Sequence, residues 1–151
     1  DVIEVLASFI RWSEREPTSF VNRYAAKTRE EKCDMLMNKD GVIVKELIAI
    51  KHLLEHQSKE IYHLVEYNNL VEKPEKTIND IYEFLDIPKF KHRFTNLDQF
   101  KVNDIKYDEA IVGEGLHTIK TDAIYKDKYD AYNIIPKSII EKYKQCNFWK
   151  G

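Results

Sequence analysis

Ile61-Tyr62-His63-Leu64-Val65-Glu66-Tyr67-Asn68-Asn69-Leu70-Val71-Glu72-Lys73-Pro74-Glu75-Lys76-Thr77-Ile78-Asn79-Asp80-Ile81-Tyr82-Glu83-Phe84-Leu85-Asp86-Ile87-Pro88 divides into a short strand, a polar crossing and an amphipathic helix. Ile61 to Tyr67 is dense in β-branched and aromatic side chains and too short for a good helix, so a strand is expected. Its large apolar groups fall on both parities, Ile61, Val65 and Tyr67 against Tyr62 and Leu64. That suits a strand covered on both faces, as in a parallel sheet. Pro74 fits a first helical turn, where its missing N–H costs nothing. Glu75 is favourable beside the positive end of that helix. Ile78, Ile81, Tyr82 and Leu85 recur at helical spacing, and Pro88 stops the run.

Before this stretch the pattern is helical. Val2, Val5, Leu6, Phe9 and Ile10 form one apolar face with Trp12 near its edge and Ser8 on its shoulder. Arg11, Arg15 and Arg23 flank the Glu16-Pro17 turn. They could recruit an anion, or pair at the surface with Glu14 and Glu16. Thr28 with Glu31 has capping-box spacing, so a helix starts there with Cys33, Leu36 and Met37 inward. Asp40-Gly41 is a break. A second long helix follows from Val42 to about Gln57, with Ile43, Leu47, Ile50 and Leu54 as its core stripe.

On that helix His52-Leu53-Leu54-Glu55-His56 matches His-x-x-Glu-His, the inverted zinc-protease pattern. Two histidines four apart can hold zinc and the glutamate could activate water, but a third ligand must come from elsewhere. A solvated helix face is the simpler expectation, since His52 and His56 lie on the side of Lys45, opposite the core stripe.

Bulk properties narrow the classes. With 151 residues, 43% of them apolar, the chain is one domain or part of one and can bury a core. A net charge of −2 argues against nucleic acid as partner. Cys33 and Cys146 lack metal spacing. They fit a reducing, cytoplasmic setting, although two cysteines leave a disulfide open. No apolar run is long enough to cross a membrane. The chain begins at Asp1, without Met and inside a helical pattern, as expected of a piece of a longer protein.

Beyond Pro88, Lys89 to Lys106 is polar with spaced aromatics, including Phe90, Phe94 and Phe100, and is expected to be a loop packed by its rings. Val112 to Asp122 contains Gly113 and Gly115, a lone Gly-x-Gly that is weak evidence for a nucleotide. Pro136 opens a last helix with Ile139, Ile140 and Tyr143 on one face. Asn147-Phe148-Trp149 is expected to end it as an aromatic plug.

The strand closing in Tyr67, the polar pair, Leu70, the Pro74-Glu75 helix start and the closing Phe84-Leu85-Asp86-Ile87-Pro88 resemble the sulfotransferase superfamily. Those enzymes use 3′-phosphoadenosine 5′-phosphosulfate (PAPS). Family members often have Glu-Asp where this chain has Asn68-Asn69. Asp1 to Phe9 is similar to the helix that follows the family's Arg-x-Pro-like turn, and the matching Arg would lie just before Asp1. Gly115-Leu116-His117-Thr118-Ile119-Lys120-Thr121-Asp122 resembles a late loop of the bacterial and phage-type members. The spacing of the final helix and Asn147-Phe148-Trp149 matches the same group.

The resemblance implies an α/β fold, the C-terminal and mostly helical part of a three-layer domain related to P-loop nucleotide kinases, with a parallel sheet. It implies one domain over residues 1–151, a C-terminal portion of the sulfotransferase domain. The implied reaction is sulfuryl transfer from PAPS to a hydroxyl or amine of a small-molecule or glycan acceptor, leaving adenosine 3′,5′-bisphosphate. Ser8 would help hold the 3′-phosphate, where a hydroxyl near a helix start is well placed. Tyr67 would lie beside the adenine. Lys120 would reach over a phosphate of the cofactor, with His117 as a second candidate. The catalytic base and the phosphosulfate-gripping loop are implied to precede Asp1, so the piece alone is expected to be inactive. Two other classes stay open: a non-catalytic helical interaction module, and a zinc hydrolase using His52, Glu55 and His56.

Overall fold

A computed structural model of the chain describes residues 1–98, 101–102, 105–106 and 122–148. In chain order its helices are α1 (Val2–Arg15), α2 (Arg29–Leu36), α3 (Val42–His56), α4 (Tyr67–Glu72), α5 (Pro74–Phe84), α6 (Ala131–Ile134) and α7 (Lys137–Tyr143). Short 3-10 turns cover Phe20–Arg23 and Lys144–Cys146. Two strands of two residues, β1 (Lys101–Val102) and β2 (Ile105–Lys106), pair antiparallel. The chain forms two compact units, one of residues 1–59 with 129–151 and one of residues 60–128.

In the first unit α1 is the central element. Val2, Ile3, Leu6, Ala7 and Ile10 are fully buried and pack with Val21, Cys33, Leu36, Ala131, Ile135 and Ile139. The buried stripe is rotated from the one expected. Ile3 and Ala7 are inside, Phe9 is only partly covered, and Val5 is 41% exposed. Phe9, Trp12 and Phe20 form an aromatic edge with ring centroids 5.4–6.3 Å apart.

α1 is capped from both ends of the sequence. The Asp1 carboxylate accepts from the Ile3 N–H at 2.8 Å, and Asn147 Oδ1 accepts from the Val2 N–H at 2.8 Å. The terminal segment is thus a cap more than a plug: Phe148 is exposed, and Trp149 lies outside the described residues.

α2 begins with the anticipated capping box. The Thr28 side chain accepts from the Glu31 N–H, and the Glu31 carboxylate accepts from the Thr28 N–H. Together with the Lys27 N–H, this holds the Glu31 carboxyl below its ordinary range. Cys33, Leu36 and Met37 are buried as expected. Burial pushes the Cys33 thiol up to about 12, and both cysteines are free thiols. Gly41 sits so close to the end of α2 that a Cβ would stand 2.2 Å from the Leu36 carbonyl oxygen. α3 has the expected bounds, but along its stripe only Ile43 is buried. Leu47 packs partly against the core, and Ile50 and Leu54 are half-exposed.

In the second unit α5 runs as expected from Pro74. It ends in a Schellman-type closure: Asp86 is left-handed (φ 50), its N–H donates to Glu83 O, and the Ile87 N–H donates to Tyr82 O. The strand expected over Ile61–Tyr67 does not form. Residues 61–66 pair with no described segment, and Tyr67 opens α4. A strand is made by its neighbours more than by its propensity, and without one this run leaves Ile61 62% exposed. Among the described residues the pairing is antiparallel, β1 with β2 and an isolated bridge between Thr95 and Ala123; the parallel sheet is not seen. No helix among them is long and apolar enough to cross a membrane.

α2 and α7 are joined by one carboxylate. Asp34 Oδ1 accepts from Lys142 Nζ at 2.8 Å and from the Tyr143 hydroxyl at 2.7 Å. The Lys142 hydrogen bond above all holds the Asp34 carboxyl below its ordinary range; burial opposes it, and the Tyr143 hydrogen bond adds to it. Asp34→Ala is expected to lower the unfolding free energy by about 1 kcal/mol, mainly through the tyrosine hydrogen bond, since the exposed lysine adds little. A carboxyl depressed in the folded state stabilises above its unfolded value near 4 and loses that contribution as pH falls through the folded value. Urea titrations should therefore show the gap between wild type and variant closing in acid. A gap constant from about pH 7 to about pH 3 would contradict the pairing.

Candidate functional site

Ser8 lies midway along α1. The buried stripe fixes the opposite face, on which Glu4, Ser8, Arg11 and Arg15 follow one another at helical spacing. Ser8 is therefore exposed and stands away from the apolar face, not on its shoulder. It is also about 9 Å along the axis from Val2, at 1.5 Å per residue. The partial charge of a helix end acts within the first turn, so the charge at the start of α1 does not reach Ser8. Its cationic neighbours are side chains. The Arg11 guanidinium lies 4.1 Å from the centre of the Tyr129 ring, a cation–π contact that fixes it one turn from Ser8. Arg15 follows one turn later and is exposed. Glu14 pairs with Arg29 at 2.7 Å, and Glu16 is buried and accepts from both the backbone and the hydroxyl of Thr18.

Tyr67 occupies the first position of α4 and is 60% exposed. The two asparagines after it are engaged. Asn68 Oδ1 accepts from Lys126 Nζ at 3.1 Å, and the Asn69 carbonyl accepts from the Thr77 hydroxyl at 3.0 Å. Thr77 also reaches the Lys73 carbonyl, so one buried hydroxyl ties the end of α4 to the first turns of α5. Neither Thr77 nor Lys126 was marked by the sequence. Thr77 lies at the edge of the apolar stripe, where a threonine reads as filler. Lys126 is 58 residues from its partner. Lys120 and His117 lie outside the described residues.

His52 and His56 are exposed on α3 with ring centroids 4.5 Å apart, and Glu55 faces Lys51 at 3.7 Å. Among the described residues no three His, Cys, Asp or Glu side chains gather closely enough to hold a metal ion. The His-x-x-Glu-His pattern thus has no third ligand there.

On this face the exposed Ser8 hydroxyl stands between Glu4 one turn before it and Arg11 one turn after it. A family model described as the sulfotransferase domain matches residues 11–144, most of the chain, and the chain belongs to that family. The matched span includes Tyr67, His117 and Lys120 and begins three residues after Ser8. No curated protein and no solved structure shows a significant match to this chain.

Thr77→Val removes the hydroxyl that joins α4 to α5 while nearly keeping its shape. It is expected to lower stability by about 1 kcal/mol, read as a lower urea midpoint at unchanged slope. An unchanged midpoint would show that this hydroxyl does not hold the α4–α5 junction.

Proposed function

We propose that this chain is the C-terminal portion of a sulfotransferase domain that takes its sulfuryl group from PAPS and passes it to an acceptor hydroxyl or amine. The observation that carries this is the family match over residues 11–144. In the reaction the acceptor oxygen or nitrogen bonds to sulfur, the bond from sulfur to the phosphate oxygen breaks, and adenosine 3′,5′-bisphosphate leaves. The acceptor's proton goes to a base. Charge building on the leaving oxygen needs cations or N–H donors aimed at it.

Ser8 would donate to the 3′-phosphate, with Arg11 and Arg15 supplying charge on the same helix face. Tyr67 would lay its exposed ring beside the adenine. Lys120, and less centrally His117, would reach a phosphate. Exposure of Ser8 and Tyr67 supports these roles, because neither side chain is used up by the core. The exposed apolar run 61–66 fits a strand of a parallel sheet completed by segments other than those described, which is the α/β architecture the family implies.

A thermal-shift titration of adenosine 3′,5′-bisphosphate into the full-length protein tests this. The melting temperature is expected to rise with ligand concentration. Ser8→Ala is expected to weaken binding roughly tenfold, as for a hydrogen bond to a charged group. Tyr67→Ala should weaken it by a similar factor through lost stacking. Absence of any shift would remove PAPS as the donor.

A further inference from the structure

The second unit contains a groove between α5 and the chain at 89–94, with a volume of about 290 Å³. Its apolar wall is Ile78, Phe90 and Phe94, and its polar groups include Glu75, Asn79 and Lys91. Phe90 is 66% exposed, a large ring left open to water at the mouth. His92 holds this wall together. It stacks on Tyr82 at 5.8 Å, shares a 2.9 Å hydrogen bond with the Tyr82 hydroxyl, and meets the rings of Phe90 and Phe94 at 5.0 and 6.1 Å.

We propose that this groove binds a neutral sugar ring. Size is the first argument. Small-molecule sites run from roughly 300 Å³ upwards, so this one holds a single ring and not a nucleotide. Charge is the second. Glu75 and Lys91 offset each other, and Lys89, also at the groove, is held by Glu83. With Glu83 counted, the charges of the described residues at the groove balance, and Glu75 would repel an anionic ligand. The third is the pairing of functions. A carboxylate accepts, an ammonium donates and an amide does both, which suits hydroxyls that are each donor and acceptor. The C–H face of a pyranose carries slight positive charge and fits against the negative face of an aromatic ring. The wall is already fixed by His92 and Tyr82, so little ordering is needed on binding. In a sulfotransferase this groove would make the acceptor a glycan. That extension rests on the function proposed above, whereas the binding itself does not.

The test is an NMR titration of the full chain with methyl β-glucoside, methyl β-galactoside and N-acetylglucosamine, each into the millimolar range. Saturable shifts are expected at Ile78, Asn79, Phe90 and Lys91 with at least one of the sugars. Phe90→Ala, at a position 66% exposed, should weaken that sugar roughly tenfold. Asn79→Ala is a second variant should the first disturb the fold. No saturable shift with any sugar, or affinity unchanged in the folded variants, overturns the proposal. Tighter binding of benzenesulfonate than of every sugar overturns it in favour of an aryl anion. Adenosine 3′,5′-bisphosphate is titrated separately, so failure of the sugar site and failure of the donor site are distinguishable.

Discussion

The burial of one face of α1 is the constraint on which the first unit depends. Five of its side chains, Val2, Ile3, Leu6, Ala7 and Ile10, are no more than 1% exposed. Burying each of the larger ones is worth roughly 1.5–3 kcal/mol. α2, α6 and α7 contribute the other side of this core through Leu36, Ala131 and Ile139. The N-terminal end is closed by side chains far away in sequence: Asn147 on the Val2 N–H and the Tyr132 hydroxyl on Asp1. Because the inward stripe is fixed by packing, so is the outward one. The exposure of Ser8 beside Arg11 and Arg15 is a by-product of where Leu6 and Ile10 must go.

Local chemistry in this chain was legible, and long-range chemistry was not. Pro74 at the start of α5, the Thr28–Glu31 capping box and the bounds of α3 are each decided within a few residues, and each is found where expected. The inward face of α1 is a different matter. Val5 and Ile3 are equally apolar, and only the positions of α2, α6 and α7 select Ile3 for the interior. α6 is four residues long with one aspartate cap at Asp130, too little periodicity to announce itself. Asn147 and Lys126 act on partners 145 and 58 residues away, and no spacing rule reaches that far.

Ile61 to Tyr67 shows the same limit at the level of the fold. β-branched and aromatic residues describe a surface suited to a sheet, but a ladder needs a second strand. Among the described residues none pairs with 61–66. The apolar side chains remain, with Ile61, Leu64 and Val65 exposed. Such a run is costly in water and is rational only where other segments cover it. The strand expected from these residues is absent because no described segment pairs with them.

For the site, the decisive point is how far Ser8 stands from the end of its helix. A phosphate at a helix N-terminus gains from free N–H groups and the end charge together. In α1 those N–H groups are already taken at Val2 and Ile3 by Asn147 and Asp1. An anion near Ser8 must therefore be held by the hydroxyl and by side-chain charge, of which Arg11 is the better organised because Tyr129 fixes its guanidinium. Side-chain charge at an exposed face is screened by salt over about 8–10 Å, whereas a buried array of backbone donors is screened far less. Affinity for a phosphate at this face should thus be markedly sensitive to ionic strength, a property that follows from the register of α1 and not from the identity of the serine.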